Sequence, residues 1–216
     1  MEKIRISDMT MKQNGKETAL SFKEKIELGK LLDRLGVSVI ELEGIQNARI
    51  DSLRVKSIAM AVKDSVVAVP VQLSEESVNA VWAAVSQAKH PRLQVCAPVS
   101  SVQMEYLHHK KPDAMKTAIV QTIEAACKVC PDVEFVADDA TRSDPAFLHD
   151  VIAAAVAAGA KTVTVCDTAG TMLPDEFAAF ITGIYDNVLA LCYQHSCCSS
   201  YFYQHNNEQK SVHCSS

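Results

Sequence analysis

The segment from Val133 to Phe177 restricts the fold more than any other part of the chain. It contains two short runs rich in β-branched residues, VEFVA and KTVTVC, separated by the apolar and helically spaced AFLHDVIAAAVAAGA. This pattern predicts a strand, a helix, a second strand and a second helix. Two strands joined by a helix of this length should be parallel, with a right-handed crossover between them.

Acidic residues follow both of these strands. Asp138 and Asp139 come after the first strand, and Asp167 comes after the second. Because parallel strands end at one edge of a sheet, we expect these carboxylates to share the edge at which α/β proteins build their active sites. Two roles are open for Asp138 and Asp139. Either they support a site as acids, or they cap the next helix.

The same alternation of strand and helix recurs along the chain. The predicted strands are residues 3–8, 37–43, 65–71, 92–98, 133–137 and 161–166. Helical patterns separate them, and the first helix has Ser21 as its N-cap and Gly36 as its C-cap. The alternation predicts a parallel sheet that is covered by helices.

Six such units predict an α/β fold of the (β/α)8 TIM-barrel type, incomplete, with about six of the eight βα units. The strands are apolar nearly throughout, which favours a packed apolar interior inside a ring of helices. A doubly wound open sheet is the alternative. No Gly-rich phosphate loop follows the first strand, and this argues against it.

Composition excludes several classes of function. The 216 residues have a net charge of −5 and no basic cluster with interleaved aromatics, which argues against nucleic acid as a partner. No apolar run approaches the roughly 18 residues that a membrane-spanning helix needs. The N-terminus lacks the apolar segment of a signal peptide. We therefore expect a cytoplasmic protein without a membrane partner, whose eight cysteines are thiols unless they bind metal.

The composition changes abruptly after Val188. Six serines, four cysteines and three histidines lie in residues 189–216, which have neither helical spacing nor clear alternation. We therefore predict a partial barrel domain at 1–188 and an atypical tail at 189–216 that is disordered or out of frame. A zinc site in the tail is the alternative, but its spacings fit no standard zinc finger.

Two further motifs have ordinary explanations. Cys127-x-x-Cys130 has the spacing of a redox pair, but it lies at a helix end, where the helix dipole does not lower a thiol pKa. The basic run His108–Lys111 is typical of a solvated face. Holding an acidic substrate at the barrel mouth is the alternative for this run.

Two segments resemble a known family. FVADDATRSDPAFL is similar to the pattern F-S-x-E-D-A-x-R-S-D, and VCDTAGTMLPDEF is similar to D-T-x-G-x-x-x-P-x-E. In this order and spacing they resemble the pyruvate carboxyltransferase-like, or HMG-CoA-lyase-like, family of TIM barrels. That family includes enzymes of the 2-isopropylmalate synthase and homocitrate synthase type. The resemblance covers residues 3 to 188, and VSVIELEG and SDMT match more loosely.

The resemblance implies metal-dependent chemistry at the barrel mouth. A divalent metal would hold an α-keto acid and polarise its carbonyl, while an arginine stabilises the negative charge that develops on oxygen. A carbon–carbon bond is then made or broken with an acyl-CoA. The partners implied are therefore a small keto acid and an acyl-CoA, and the implied assembly is a homodimer.

The family patterns also imply roles for individual residues. The implied catalytic residues are Lys12, Glu41 and Asp167. The implied substrate-binding residues are Asp8, Thr10, Thr168, Asp139 and Arg142.

The opening of the chain departs from the family pattern D-T-T-L-R-D-G-x-Q. Lys12 stands where the arginine is expected, and lysine supplies the charge without the planar fork. Gln13 occupies the expected metal-ligand position, where a neutral amide is a poorer ligand than a carboxylate. The family's His-x-His pair on strand seven has no recognisable counterpart.

The metal ligands that the family implies are therefore missing from this sequence. Two functions stay open. The first is an acyltransferase or carbon–carbon lyase that acts on a keto acid and an acyl-CoA. The second is a catalytically inactive or truncated homologue with no metal site.

Overall fold

The computed structural model describes residues 5–12, 20–192 and 201–205, with side chains as far as Val188. The strands are β1 Ser7–Asp8, β2 Val39–Glu41, β3 Val66–Val71, β4 Pro91–Pro98, β5 Val133–Asp138, β6 Thr162–Cys166 and β7 Tyr201–His205. The helices are α1 Phe22–Leu35, α2 Ile50–Ala61, α3 Glu75–Val85, α4 Ser101–Tyr106, α5 Pro112–Val129, α6 Pro145–Ala157 and α7 Pro174–Cys192. None of the helices in these ranges is both long and apolar enough to cross a membrane.

All strands belong to one parallel sheet, and their order in the sheet is their order in the chain. A doubly wound sheet would reverse direction at a switch point, so this order excludes that alternative. Six βα units form the wall, with helices between successive strands. The predicted α/β fold, an incomplete TIM barrel, is confirmed.

Two segments of the predicted tail have regular structure. Helix α7 continues past the predicted boundary at Val188 to Cys192. Strand β7 pairs in parallel with β6, with His205 in register with Cys166. The lack of clear alternation in residues 189–216 predicts no strand there, and β7 corrects this. The remainder of 189–216 lies outside the described residues, so a disordered or out-of-frame tail stays a prediction.

The ends of α1 show how local sequence fixes the elements. The Ser21 hydroxyl accepts a hydrogen bond from the Glu24 amide at 3.4 Å, and the Ser21 amide donates to the Glu24 carboxylate at 2.8 Å. This reciprocal pair is a capping box. Gly36 ends the helix in the left-handed region, at a φ of 83°. Both predicted caps of this helix are confirmed.

The two faces of the sheet differ, and this corrects the predicted apolar interior. Alternate residues such as Leu93, Val95 and Phe135 pack with the helices in the apolar core. The residues between them, Gln94 and Glu134 among them, are polar and lie on the opposite face, which is the inside of the barrel wall. Side chains of a strand point alternately to either face, so one strand serves both the core and the interior.

Gly159, just after α6, is a position where only glycine fits well. Its φ is 111°, and a Cβ placed there would lie 2.9 Å from Sγ of Cys127. We expect Gly159→Ala to lower the free energy of unfolding by about 1–3 kcal/mol, because the backbone conformation and the contact are both unfavourable. Urea denaturation measures the change.

Gly183 provides a matched control inside α7. A Cβ placed there meets no atom within 4 Å. Gly183→Ala should therefore raise the free energy of unfolding by up to about 1 kcal/mol through helix propensity alone. Equal stability of the Gly159→Ala variant and the parent would contradict the assignment of strain to Gly159.

Candidate functional site

A cavity of about 680 Å³ opens at the carboxyl edge of the sheet. This volume lies in the range of small-molecule sites. The polar residues that line it include Lys12, Glu41, Gln94, Asp138, Asp167 and Thr168. The structure thus brings together all three residues that were predicted as catalytic and one predicted substrate-binding residue, Thr168.

Lys12 lies at the end of a 3₁₀ helix, Thr10–Lys12, directly after β1. Its Nζ donates to Oε2 of Glu41 at 2.6 Å and to Oε1 of Gln94 at 3.0 Å. Glu41 ends β2 and Gln94 lies on β4, so the ammonium lies across β3 on the inner face of the wall. An ammonium has three N–H donors. Within the described part of the chain, the third N–H of Lys12 has no acceptor.

Both members of the pair formed by Lys12 and Glu41 are charged. Burial disfavours the ammonium, but nearby groups, among which the carboxylate of Glu41 contributes most, together outweigh it and raise the pKa of Lys12. Burial likewise disfavours the carboxylate, yet Lys12 and the Ser7 hydroxyl, which donates to Oε1 at 2.6 Å, lower the pKa of Glu41. Lys12 is therefore protonated at neutral pH, which does not suit it to attack a carbonyl carbon as a free amine.

A buried polar network fixes the side-chain amide of Gln94 on the side opposite to Lys12. Its Nε2 donates to Oε2 of Glu134 at 3.1 Å, and the Thr164 hydroxyl donates to Oε1 of the same carboxylate at 2.5 Å. Arg92, which is 4% exposed, provides the positive charge beside Glu134 at 3.5 Å. The amide of Gln94 is thus oriented with its oxygen towards Lys12. These buried groups fix the position of the ammonium.

Asp138 ends β5 and lines the same cavity. Burial raises the pKa of its carboxyl to about 6, against the opposing effect of Lys12 and of a hydrogen bond with the Cys166 thiol. A carboxyl that titrates near neutral pH suits proton transfer. Sequence reasoning left Asp138 between two roles and omitted it from the site. It does, however, occupy the E position of the F-S-x-E-D-A-x-R-S-D pattern.

Asp167 holds the loop between β6 and α7. Its Oδ1 accepts from the Thr141 hydroxyl at 2.8 Å, and its Oδ2 accepts from the Met172 amide at 3.0 Å. Burial acts against the charge, but these bonds prevail and lower the pKa of Asp167. Thr168, the next residue, accepts a hydrogen bond from the Asp139 amide at 2.9 Å. Both residues line the cavity while they organise its rim.

Asp139 and Arg142, two predicted substrate-binding residues, lie beside the cavity and bind each other. The Arg142 guanidinium donates to both carboxylate oxygens of Asp139, at 2.8 and 2.6 Å. Ser100 also donates to Asp139, at 2.5 Å. Asp139 has no exposed surface, and its φ of 59° lies in the left-handed region. The ion pair of Asp139 and Arg142 therefore fixes the turn after β5.

Asp8 and Thr10, the other two predicted substrate-binding residues, also bind each other. The amide and the hydroxyl of Thr10 donate to the two carboxylate oxygens of Asp8, both at 3.1 Å. This turn starts the 3₁₀ helix that ends at Lys12. The two residues thus position Lys12, and Met9 between them lines the cavity.

The cysteines whose side chains the structure describes, Cys96, Cys127, Cys130 and Cys166, are free thiols. Cys96 and Cys166 line the cavity, and burial raises the pKa of both. Burial also raises the pKa of Cys127 and Cys130, whose spacing resembles that of a redox pair. Thiols with raised pKa values are poor nucleophiles at neutral pH.

The described side chains do not fit a divalent metal. Among them, no group of three or more His, Cys, Asp or Glu residues is placed to hold one. The carboxylate of Glu41 is paired with an ammonium, and both oxygens of Asp167 accept hydrogen bonds from the rim. Gln13, at the expected ligand position, lies outside the described residues.

Comparison with known proteins gives one family and a set of longer relatives. Residues 3–208 match the family model described as HMGL-like. A 2-isopropylmalate synthase of Clostridium kluyveri is 34% identical over 190 residues, which are 87% of this chain and 37% of that protein. One of Pyrococcus furiosus is 35% identical over 192 residues, 88% of this chain and 38% of that protein. The chain thus spans less than two fifths of the length of these curated relatives.

Solved structures support the same fold. A hydroxymethylglutaryl-CoA lyase from Pseudomonas aeruginosa superposes with a TM-score of 0.67 at 14% identity, over 92% of this chain and 67% of that one. An HMG-CoA lyase from Brucella melitensis gives 0.66 at 18% identity, over 94% and 73%. At such identities the likeness concerns the fold alone.

Proposed function

The chain belongs to the HMGL-like family, and on that premise we propose that its cavity makes or breaks a carbon–carbon bond between an α-keto acid and an acyl-CoA. One observation carries the proposal. The Lys12 ammonium, held between Glu41 and Gln94, shares a cavity with the Asp138 carboxyl, whose pKa is about 6. A fixed positive charge beside a titratable carboxyl suits a reaction in which a proton moves and an oxygen becomes negative.

In the condensing direction, the roles follow from charge. Ionised Asp138 takes a proton from the carbon next to the thioester, and the resulting carbanion attacks the keto carbon. The electron pair of the carbonyl moves to its oxygen, where the Lys12 ammonium stabilises the new charge. That oxygen then takes a proton from water, and Asp138 gives its own proton back to the solvent. Water adds to the thioester carbonyl, the carbon–sulfur bond breaks, and CoA leaves as the thiol. Glu41 and Gln94 act through Lys12, as positioning residues.

A divalent metal, which the family resemblance implies, would polarise the keto carbonyl when bound. Because the described donor set does not fit such an ion, none of the steps above depends on one. The second candidate function is that of a catalytically inactive homologue. The pairing of Lys12 with Glu41 favours this second candidate, because the Glu41 carboxylate is then occupied by the ammonium and not available to a ligand. A cytoplasmic location and a homodimer stay predictions of the sequence.

A direct assay separates the two functions. Purified full-length chain is mixed with acetyl-CoA and a panel of α-keto acids, and free CoA is measured with a thiol reagent, with and without added divalent metal. We expect CoA release that depends on the keto acid. Folded protein that releases no CoA under any of these conditions would establish the inactive homologue. Metal content, measured on the same sample, shows whether an ion accompanies activity.

A further inference from the structure

Among the described residues that line the cavity, Lys12 is the one cation, and its ammonium is held by two acceptors. We propose that the cavity binds the α-keto acid directly on the Lys12 ammonium, without a divalent metal. The inference rests on the proposed function for the class of ligand. It goes beyond it in naming Lys12 as the group that holds the ligand, and in making binding independent of metal.

The hydrogen bonds of Lys12 carry the first step. Glu41 and Gln94 accept two of its three N–H groups, at 2.6 and 3.0 Å. The third has no acceptor among the described residues, although the ammonium is largely buried and lines the cavity. This N–H is available to a ligand in the cavity, and bonds from an ammonium to an anionic oxygen are short and strong. A carboxylate or carbonyl oxygen of a ligand would satisfy it.

Rigidity carries the second step. The two acceptors lie on β2 and β4, and the Glu134 carboxylate fixes Gln94 from behind at 3.1 Å. The ammonium is therefore held in place before a ligand arrives, so binding orders few side chains. A preorganised charge binds more tightly than a flexible surface lysine, because less conformational entropy is lost.

Charge carries the third step. An anion that contacts the ammonium is attracted to it. Two other carboxylates line the cavity and oppose an anion. Asp167 stays ionised, but its two oxygens accept hydrogen bonds from the Thr141 hydroxyl and the Met172 amide at the rim. Burial raises the pKa of Asp138 to about 6, so this carboxyl accepts a proton at little cost when an anion enters.

The test is calorimetric titration of the full chain with pyruvate, the smallest α-keto acid, after dialysis against EDTA. We expect binding in EDTA whose affinity does not change when Mg²⁺, Mn²⁺ or Zn²⁺ replaces the chelator. Lys12→Met should weaken binding at least tenfold. Lys12→Arg, which keeps the charge, should retain part of the affinity. Binding that requires added metal would overturn the inference, as would the absence of binding in every condition.

Two further variants distinguish a loss of binding from a loss of the fold. Lys12→Met leaves a buried carboxylate unpaired, so Lys12→Met/Glu41→Gln removes both charges together and should fold, yet it should also fail to bind pyruvate. Lys25→Met is the matched control, because Lys25 forms a comparable ion pair with Glu43 at 2.9 Å outside the cavity. It should bind as the parent does. Parental affinity in the double variant would contradict the role of Lys12.

The outcome is separable from that of the proposed function. Binding in EDTA without CoA release would keep the inference and discard the reaction. CoA release together with metal-dependent binding would keep the reaction and discard the inference.

Discussion

Replacing Glu41 by glutamine should abolish CoA release that depends on a keto acid. The glutamine keeps the shape of the side chain and can still accept from the Ser7 hydroxyl, which now donates at 2.6 Å. It loses the negative charge that binds Lys12 at 2.6 Å. Removing an electrostatic contact of this kind from a reacting oxygen lowers turnover by about 100-fold or more.

The loss has two physical causes. Burial lowers the pKa of Lys12, and the charge of Glu41 is the largest effect that opposes it. Without that charge, the ammonium more readily loses its proton, and with it the positive charge that stabilises the substrate oxygen. The amine is also held by one acceptor fewer, so it no longer has a fixed position. Turnover should therefore fall mainly in kcat, because the contact is strongest when charge develops on the substrate oxygen.

Glu43→Gln is the control for this variant. Glu43 lies two residues further along the chain and accepts from Lys25 and from Arg54, both at 2.9 Å. It has a comparable ion pair but does not line the cavity. Steady-state kinetics should show unchanged turnover for Glu43→Gln and a loss of about 100-fold or more for Glu41→Gln, with circular dichroism to show that both are folded. Equal turnover in the two variants would remove Glu41 from the mechanism.

Local sequence was sufficient for the elements of the wall. Strands β5 and β6 were predictable because short β-branched runs on either side of an apolar helix rarely form anything other than parallel strands. The ends of α1 were predictable because Ser21 and Gly36 act on their own backbone. The order of the sheet also followed, since repeated βα units place successive strands side by side.

The polar interior was predictable in principle and was missed. In RLQVCAP, polar residues alternate with apolar ones, and VEFVAD and TVTVC repeat this period of two. An interpretation of these runs as apolar nearly throughout does not identify Gln94 and Glu134 as residues of the interior. The alternation indicates which face each residue occupies. It does not indicate that Gln94 and Glu134, 40 positions apart, form a hydrogen bond.

The pairing of charges within the site required three-dimensional structure. Sequence patterns named Lys12, Glu41 and Asp167, and all three line one cavity. The patterns could not show that Lys12 and Glu41 bind each other, because that contact depends on the turn after β1. Nor could they show that Arg142 is engaged by Asp139, three residues before it. Distances between side chains decide which charges are available to a ligand.

Asp138→Asn should make the protein more stable at neutral pH. The folded-state pKa of about 6 lies above the ordinary value of 3.8, so the folded chain binds this proton more tightly than the unfolded chain does. The cost of ionising Asp138 is therefore absent below about pH 4, grows between pH 4 and 6, and is complete above pH 6. Asparagine does not ionise and avoids this cost.

The size of the gain follows from the shift. A difference of about two pKa units corresponds to at most about 3 kcal/mol at pH 7. Urea denaturation should show Asp138→Asn to be more stable than the parent at pH 7.5, with the difference vanishing near pH 4. The groups that act on Asp138 are Lys12, Cys166 and Asp139, and none of them is changed by the substitution. A difference in stability that is the same at both pH values would contradict the raised pKa.

The same substitution should remove activity. An asparagine in place of Asp138 cannot exchange a proton with the carbon next to the thioester, and the loss of such a group lowers kcat by about 100- to 10,000-fold. Asp144→Asn is the control in the same segment, because Asp144 caps α6 and asparagine caps equally well. It should change neither stability nor turnover. A gain in stability with a loss of turnover, confined to Asp138, is the expected result for a carboxyl that is kept buried for catalysis, because a purely structural carboxyl would not combine the two.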